Sequence, residues 1–256
     1  MPSTAHLIVI GLLLVLSGCS GPAVRLAPED GVHVVRRGET LYSIAMSYDM
    51  DWRTLAARNG IPPPYTIYVG QRLFLTGKTV PQDGASLTGK TVPQDGASLT
   101  GKTVPQERAS GPAPQATAKA RKKAAPPPPV GKIAWTWPTE GRVVSTFVQG
   151  HATRKGIDIA GELGQPVRAA ADGEVVYSGS GLAGYGKLII LKHNERFLSA
   201  YGYNQALLVS EGQAVQAGQV IARMGQAEVG KPMLHFEIRL DGHPIDPLRQ
   251  LPQASR

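Results

Sequence analysis

The stretch that most restricts the fold is Gly184-Tyr185-Gly186-Lys187-Leu188-Ile189-Ile190-Leu191-Lys192-His193. A short apolar run that follows glycines and ends on polar residues is typical of a β-strand. Similar short runs recur at close spacing through the last 125 or so residues, and no long stripe of helical period interrupts them. The sequence therefore predicts a mainly antiparallel β domain over residues 132–256. Its predicted strands are 142–147, 174–177, 187–192, 197–201, 219–224 and 234–239.

Two other stretches of this domain combine apolar residues with possible metal ligands. They are Gly156-Ile157-Asp158-Ile159-Ala160 and Leu234-His235-Phe236-Glu237-Ile238-Arg239. Together with the stretches 164–167, 169–176 and 184–193, they resemble the lysostaphin/LytM-type zinc endopeptidases of the cell wall. The resemblance extends over about residues 137–252.

Active members of that family bind zinc through a His, an Asp four residues later and the second His of a His-x-His pair, and two further His assist catalysis. Here Asp158 and His235 stand at two ligand positions, but Arg154 occupies the first. Met233 and Tyr203 occupy the positions of the two assisting histidines. Because a guanidinium has no lone pair and a thioether is a poor zinc ligand, we predict no metal, no other cofactor and no catalysis.

Three other histidines are candidates to replace the missing ligands. His151 lies seven residues before Asp158 rather than four. His193 follows a predicted strand and His243 lies in a predicted turn. None has the required spacing, and we expect all three to be ordinary surface residues.

The altered motif resembles the degenerate LytM-domain cell-division proteins of the NlpD and EnvC type. The resemblance implies that the former active-site groove binds and activates a periplasmic N-acetylmuramoyl-L-alanine amidase. Carried over by position, the residues that line this groove are Arg154, Asp158, Tyr203, Met233 and His235. Arg, Tyr and Met are common at interfaces. An alternative stays open, in which Asp158 and His235 pair with each other or with Arg154 as structural groups.

Residues 33–76 predict a small α+β module of strand, helix, helix and strand. Thr40 and Asp51 are placed to cap the two helices, Asn59-Gly60 to end the second, and strands are expected at 33–36 and 72–75. The stretches 34–45, 59–61 and 67–73 resemble the LysM domain, which binds polymers that contain N-acetylglucosamine. The resemblance implies peptidoglycan binding at Gly38, Glu39, Thr40, Asn59, Gly60 and Ile61. Gly38 and Asn59 are equally compatible with a turn and a helix cap.

A repeat separates these two units. Twelve residues that begin at Thr76 recur at Thr88 and, in part, at Thr100. Residues 77–131 contain nine prolines and no aromatic residue. Because each copy offers one Val and one Leu, it cannot build a core, and we predict a disordered linker.

The N-terminus reads as an export signal. Leu7 to Leu16 is an apolar run of ten residues, too short to span a bilayer and typical of a signal peptide. The sequence Leu16-Ser17-Gly18-Cys19 resembles the bacterial lipobox. This implies removal of residues 1–18, a lipid membrane anchor on Cys19 and a tether over residues 19–32. Ser20, rather than Asp, implies sorting to the outer membrane, facing the periplasm.

Composition narrows the function further. The net charge is +8, but residues 77–131 hold eight basic and three acidic residues, so most of the excess lies in the linker. Aromatic residues make up only 6% of the chain, which argues against a nucleic-acid partner. The resemblances together imply an inactive lipoprotein that binds peptidoglycan and activates an amidase in cell division. Two alternatives are a zinc endopeptidase with residual activity and a peptidoglycan tether without an effector.

Overall fold

The computed structural model of the chain describes residues 28–77, 133–227 and 230–253. All of them belong to one compact unit. The predicted signal peptide, Cys19, most of the tether and nearly all of the linker lie outside these residues. No helix in the described ranges is long and apolar enough to cross a membrane.

The N-terminal module contains two short helices between two strands that pair antiparallel. Its elements are β1 (Val32–Val34), α1 (Leu41–Ser47), α2 (Trp52–Arg58) and β2 (Arg72–Phe74). Thr40 and Ser43 form a reciprocal capping box at the start of α1. The Asp51 carboxylate accepts hydrogen bonds from two backbone N–H groups at the start of α2. The two predicted N-caps are therefore confirmed.

The ends of this module differ slightly from expectation. The Arg36 N–H donates to the Glu39 carboxylate at 2.8 Å instead of to a strand partner, so β1 ends before Arg36. At the end of α2, Asn59 keeps a negative φ of −101°, and Gly60 takes the left-handed conformation with φ of 60°. The glycine supplies the left-handed end because it carries no Cβ.

The C-terminal domain is one antiparallel sheet of ten strands followed by a single 3₁₀ turn. The strands are β3 (Val143–Ser145), β4 (Ile157–Ala160), β5 (Pro166–Arg168), β6 (Gly173–Gly179), β7 (Lys187–Lys192), β8 (Phe197–Leu207), β9 (Ala214–Val215), β10 (Val220–Met224), β11 (Met233–Leu240) and β12 (His243–Ile245). The main order is β3-β4-β11-β8-β7-β6-β9, while β10 pairs with β5 and β8, and β12 pairs with β11.

This architecture confirms the predicted fold class for the two folded parts. Strand β8 runs on to Leu207, whereas its prediction ends at 201. Strands β4, β5, β9 and β12 were not predicted as strands, because each has only two to four residues and two of them contain proline. Pairing with neighbours, rather than their own sequence pattern, holds such short segments in the sheet.

The sheet has one apolar face and one mixed face. Along β11, Leu234, Phe236 and Ile238 enter the main hydrophobic core. Because side chains alternate along a strand, His235 and its neighbours at positions 237 and 239 lie on the opposite face. Burial of each large apolar side chain contributes roughly 1.5–3 kcal/mol, so the core face fixes which residues the other face presents.

Candidate functional site

Asp158 and His235 meet on the mixed face of the sheet. Strand β4 pairs with β11 so that these two residues are direct neighbours across the ladder. Their side chains join at 2.6 Å between Asp158 Oδ1 and His235 Nδ1. The His235 side chain is buried, while Asp158 keeps about a quarter of its side-chain surface exposed. The pairing of Asp158 with His235, one of the two alternatives, is therefore the one that the structure has.

A second carboxylate faces the other nitrogen of the same imidazole. His235 Nε2 lies 3.1 Å from Glu237 Oε1, which also accepts a hydrogen bond of 2.7 Å from the Tyr185 hydroxyl. The other oxygen of Glu237 accepts a 2.8 Å bond from Arg239 Nε. Glu237 and Arg239 are both fully buried, so the site is a buried network of alternating charges.

The surrounding charges set the protonation state of His235. Burial by itself acts to lower its pKa, but the hydrogen bonds to Asp158 and Glu237 outweigh burial and raise the pKa to about 9. For Glu237, burial acts to raise the pKa. The charge of Arg239 and the bond from His235 overcome that effect and hold this pKa well below its usual range. The two carboxylate contacts therefore favour the protonated form of His235 at neutral pH.

These residues do not fit a zinc ion. Zinc binds an imidazole through a free nitrogen lone pair, whereas both ring nitrogens of His235 lie against carboxylates, at 2.6 and 3.1 Å. Arg154, Tyr203 and Met233, the residues predicted at three further positions of the motif, supply a cation, a phenol and a thioether. Among the described residues no cluster of three His, Cys, Asp or Glu side chains is arranged to hold a metal.

Arg154 is close to this site in sequence but is bonded elsewhere. Its guanidinium donates from Nε to the Thr146 carbonyl and from Nη2 to Thr146 Oγ1, both at 3.0 Å. The guanidinium is therefore bonded to Thr146 rather than to Asp158 or His235. The residue is partly exposed on the segment that leads into β4.

Tyr203 and Met233 lie closer to the Asp158–His235 pair. The Tyr203 ring centroid is 5.5 Å from that of His235, and its backbone is left-handed with φ of 64°. A tyrosine in the left-handed conformation is uncommon and costs of order 1 kcal/mol or more. The backbone of β8 is therefore strained at Tyr203. Met233 begins β11 two residues before His235 and is partly exposed. Of the five predicted groove residues, the structure thus gathers four, with Arg154 at the edge.

Sequence reasoning missed Glu237, Arg239 and Tyr185 as members of the site. A signal was present, because His235, Glu237 and Arg239 occupy alternate positions of one buried strand. Charged residues are rarely fully buried unless they are paired. Three such residues at alternate positions of one strand lie on the same face, where each of them needs an ion-pair or hydrogen-bond partner.

The expectation that His193 is a surface residue is wrong. His193 is 2% exposed, and its ring lies edge-on to Trp135 with centroids 4.8 Å apart. Its Nδ1 lies 2.7 Å from the Asp172 carbonyl and its Nε2 2.7 Å from Ser199 Oγ. The turn that carries it folds back over the core, which local sequence does not reveal. His151 and His243 are exposed, as expected.

The residues predicted to bind glycan have structural contacts in the LysM-like module. Glu39 Oε2 lies 2.7 Å from His33 Nε2, and the Asn59 side chain bonds both backbone groups of Phe74. Thr40 caps α1, and Ile61 is buried in the module core. Gly38 and Gly60 have positive φ and open space around their Cα atoms.

The same module exposes two apolar side chains that were not singled out in the sequence. Tyr68 and Val69 are 71% and 69% exposed. The backbone next to them is tied to β1, because the Gly70 N–H donates to the Val35 carbonyl at 2.8 Å. Tyr68 therefore stands exposed on a loop whose backbone is bonded to the residue that follows β1.

A cleft of about 650 Å³ lies away from His235. Arg37 and Gly38 line one side of it, and Tyr177, Ser178, Ser180 and Glu211 are on the other. Its wall is rich in hydroxyl groups and glycine backbone. The cleft is thus next to the Gly38 loop rather than at the Asp158–His235 pair.

Comparison with known proteins gives matches in both parts of the chain. A LysM domain model matches residues 33–76, and a model of peptidase family M23 matches residues 152–247. The lipoprotein NlpD/LppB homolog of Pseudomonas aeruginosa is 47% identical over 93% of this chain and 82% of its own length. The uncharacterized lipoprotein YgeR of Escherichia coli is 42% identical over 96% of this chain and 91% of its own. The murein hydrolase activator NlpD of Escherichia coli is 37% identical over 86% of this chain and 68% of its own. The resemblances to the LysM domain, to the LytM-type peptidase domain and to the NlpD proteins are confirmed.

Proposed function

This chain belongs to the family of NlpD lipoproteins, and from that premise we propose that it is a peptidoglycan-binding activator of a murein hydrolase with no hydrolase activity of its own. The observation that carries the proposal is the position of His235 between Asp158 and Glu237, at 2.6 and 3.1 Å. Both nitrogens of the one imidazole kept from the zinc site are engaged by carboxylates. A structural ion network has taken the place of a metal site.

The hydrolase that we propose as partner is an N-acetylmuramoyl-L-alanine amidase. The surface that we propose for it lies beside the Asp158–His235 pair and is formed by the partly exposed Met233 and Arg154. The buried Tyr203 ring supports this surface from below, 5.5 Å from the His235 ring. Such side chains provide large contact areas and a fixed cation, as interface centres commonly do. To activate the amidase, this surface must bind its active state more tightly than its inactive state.

Peptidoglycan binding is assigned to the LysM-like module. The open backbone at Gly38 and Gly60 leaves room for a glycan chain, and Glu39, Thr40, Asn59 and Ile61 hold the two loops in place. Tyr68 adds an exposed aromatic ring beside them. The module then concentrates the activator at the substrate of its partner.

The membrane anchor and the divisions of the chain remain proposals. We assign residues 1–18 to a signal peptide, Cys19 to a lipid anchor in the outer membrane and residues 19–32 to a tether facing the periplasm. Residues 33–76, 77–131 and 132–256 are assigned to the LysM domain, the linker and the degenerate LytM-type domain. Lipid labelling of Cys19 in the intact protein, with Cys19→Ser as control, tests the anchor.

The central test measures dye release from labelled sacculi. Residues 20–256 are added alone, and again together with a purified periplasmic amidase of the same organism. We expect release only in the mixture, above the level that the amidase gives alone. Release by the chain alone, abolished by a chelator, would support the endopeptidase alternative. The absence of any stimulation would favour the tether.

Two variants locate the active surface. Tyr203→Ala and Arg154→Ala are expected to reduce stimulation of the amidase while sacculus binding stays unchanged. His151→Ala serves as the matched control, because this exposed residue precedes Arg154 by three positions and its ring hydrogen-bonds the neighbouring Thr153. Equal loss in all three variants would contradict the assignment.

A further inference from the structure

The LysM domain packs against the face of the sheet that carries His235. Trp52 and Met46 of the LysM domain share one hydrophobic cluster with Leu188, Ile190 and Leu198 of the sheet. The Nζ of Lys192 lies 4.6 Å from the centroid of the Trp52 ring, a cation–π contact. The face beside the Asp158–His235 pair is therefore covered by another part of the same chain.

Charged residues mark the centre of this contact. Asp49 Oδ1 of the LysM domain accepts hydrogen bonds from Arg239 Nη2 at 2.7 Å and from Lys155 Nζ at 2.9 Å. Arg53 Nη2 donates to Asp241 Oδ1 at 2.6 Å on the rim. Asp49 lies at the end of α1 in the left-handed conformation, with φ of 51°, which aspartate tolerates better than most residues.

The two cations that Asp49 meets have little access to water. The side chains of Arg239 and Lys155 are 1% and 3% exposed. A buried charge that loses its partner is strongly destabilising, whereas the same charge in water is not. Asp49 is thus the anion that offsets the cost of burying Arg239 and Lys155 on this face. When the LysM domain leaves, both cations gain water, and the face becomes a basic surface.

The covered face and the proposed groove are continuous. Arg239 bonds Glu237, and Glu237 bonds His235, so Asp49 is joined to the Asp158–His235 pair by an unbroken chain of polar contacts. Lys155 is also the immediate neighbour of Arg154. A partner protein large enough to cover the groove would meet the docked LysM domain at this border.

We propose that the LysM domain and the murein hydrolase compete for this face, so that the chain is self-inhibited when the LysM domain is docked through Asp49. The inference rests on the function proposed above. Its occupant is the chain's own LysM domain, and the charge complementarity of Asp49 with Arg239 and Lys155 is what selects it. A hydrolase that displaces the domain must itself supply an acidic group to the exposed cations.

A glycine at the contact allows a sharp test. A Cβ at Gly242 would lie 2.5 Å from the Asp51 Cα, so any side chain there must push the two domains apart. Gly218 has nearly the same backbone, φ of 78° against 82°, but nothing within 4 Å of a built Cβ. Gly242→Gln and Gly218→Gln therefore place a side chain at nearly the same positive φ, and only the first is expected to separate the domains.

Docking and activation are measured on residues 20–256 in three forms, which are the wild type, Gly242→Gln and Gly218→Gln. A water-soluble carbodiimide links Asp49 to Lys155 when the two are in contact, and mass spectrometry detects the joined peptides. We expect this product in the wild type and Gly218→Gln, and its loss in Gly242→Gln. If about a tenth of wild-type molecules are undocked, separating the domains makes about ten times more protein available to the amidase. The protein concentration that gives half-maximal dye release should then be about ten times lower for Gly242→Gln than for the wild type.

Asp49→Asn provides a second route to the same state, because it removes the charge while keeping the size and the left-handed preference. It should lower the half-maximal concentration in the same direction as Gly242→Gln. Equal potency of all four proteins, or weaker activation after separation, would overturn competition while leaving the activator function intact. Absence of stimulation by every protein would overturn both proposals together.

Discussion

Two histidines of the C-terminal domain are equally buried, yet the pKa of one is lowered and the pKa of the other is raised. His193 and His235 are each 2% exposed. Burial lowers the pKa of His193 to about 4, because its partners are a backbone carbonyl and a serine hydroxyl. The pKa of His235 is raised to about 9, because its two partners are carboxylates. The charge of the partners, rather than the depth of burial, therefore decides the charge of an imidazole.

The two histidines also differ in what their hydrogen bonds connect. His193 uses neutral hydrogen bonds to fix a turn over the core. His235 belongs to a chain of charges that runs from Asp158 to the LysM domain. Removing a charged partner should therefore cost more around His235 than removing a neutral partner costs around His193.

The largest effect is expected for Glu237→Gln. The substitution leaves Arg239 and His235 buried without their shared anion, and breaking a buried ion network by removing one partner costs about 3–5 kcal/mol. Urea unfolding of residues 20–256 at pH 7 measures this loss of stability. Glu174→Gln, at an exposed position of β6, should change stability by less than about 0.5 kcal/mol. A similar small effect in both variants would show that the network carries little stability.

The next effect concerns acid sensitivity at His193. Since its folded pKa of about 4 lies below the unfolded value of 6.5, the unfolded chain binds the extra proton between these values. Stability is then fully present above pH 6.5 and is lost as the pH falls toward 4, by roughly 3 kcal/mol. Comparing urea unfolding of the wild type and His193→Gln at pH 7 and pH 4.5 isolates this contribution. Parallel loss in the two proteins would mean that His193 titrates normally.

A smaller effect is expected for Asp158→Asn, which removes one of the two carboxylates beside His235. The raised pKa of His235 adds stability that is fully present below pH 6.5 and is lost as the pH rises through about 9. With only Glu237 left, the pKa should fall and about 2 kcal/mol of stability should be lost at pH 7. NMR titration of the imidazole measures the shift directly. An unchanged pKa would assign the stabilisation to Glu237 alone.

The smallest effect is expected for Ser199→Ala. This change removes the hydroxyl next to His193 Nε2 and its bond of 2.9 Å to the Tyr201 hydroxyl. Loss of neutral hydrogen bonds of this kind costs about 1 kcal/mol. Thermal unfolding at pH 7 provides the measurement, and Ser210→Ala at an exposed position is the control. A cost as large as that of Glu237→Gln would remove the distinction between charged and neutral partners.

Local patterns predicted much of the architecture. The caps at Thr40 and Asp51, the two helices and the six principal strands follow from short-range periodicity and hydrogen bonding. Arg154, Tyr203 and Met233 were also singled out from the sequence alone. Their environments were not, since Arg154 bonds Thr146 while the Tyr203 ring lies tilted beside His235.

Partnerships between distant residues required the tertiary structure. Asp158 and His235 are 77 positions apart, and Asp49 and Arg239 are 190 positions apart. The burial of His193 and the contact of the LysM domain with the sheet likewise depend on residues that are distant in the sequence. By itself the sequence determined which side chains each strand and helix presents, because that depends on local periods of two and 3.6 residues. Only the tertiary structure decided which buried charges meet, because their energies depend on partners and on exclusion of water, and neither is encoded in a local period.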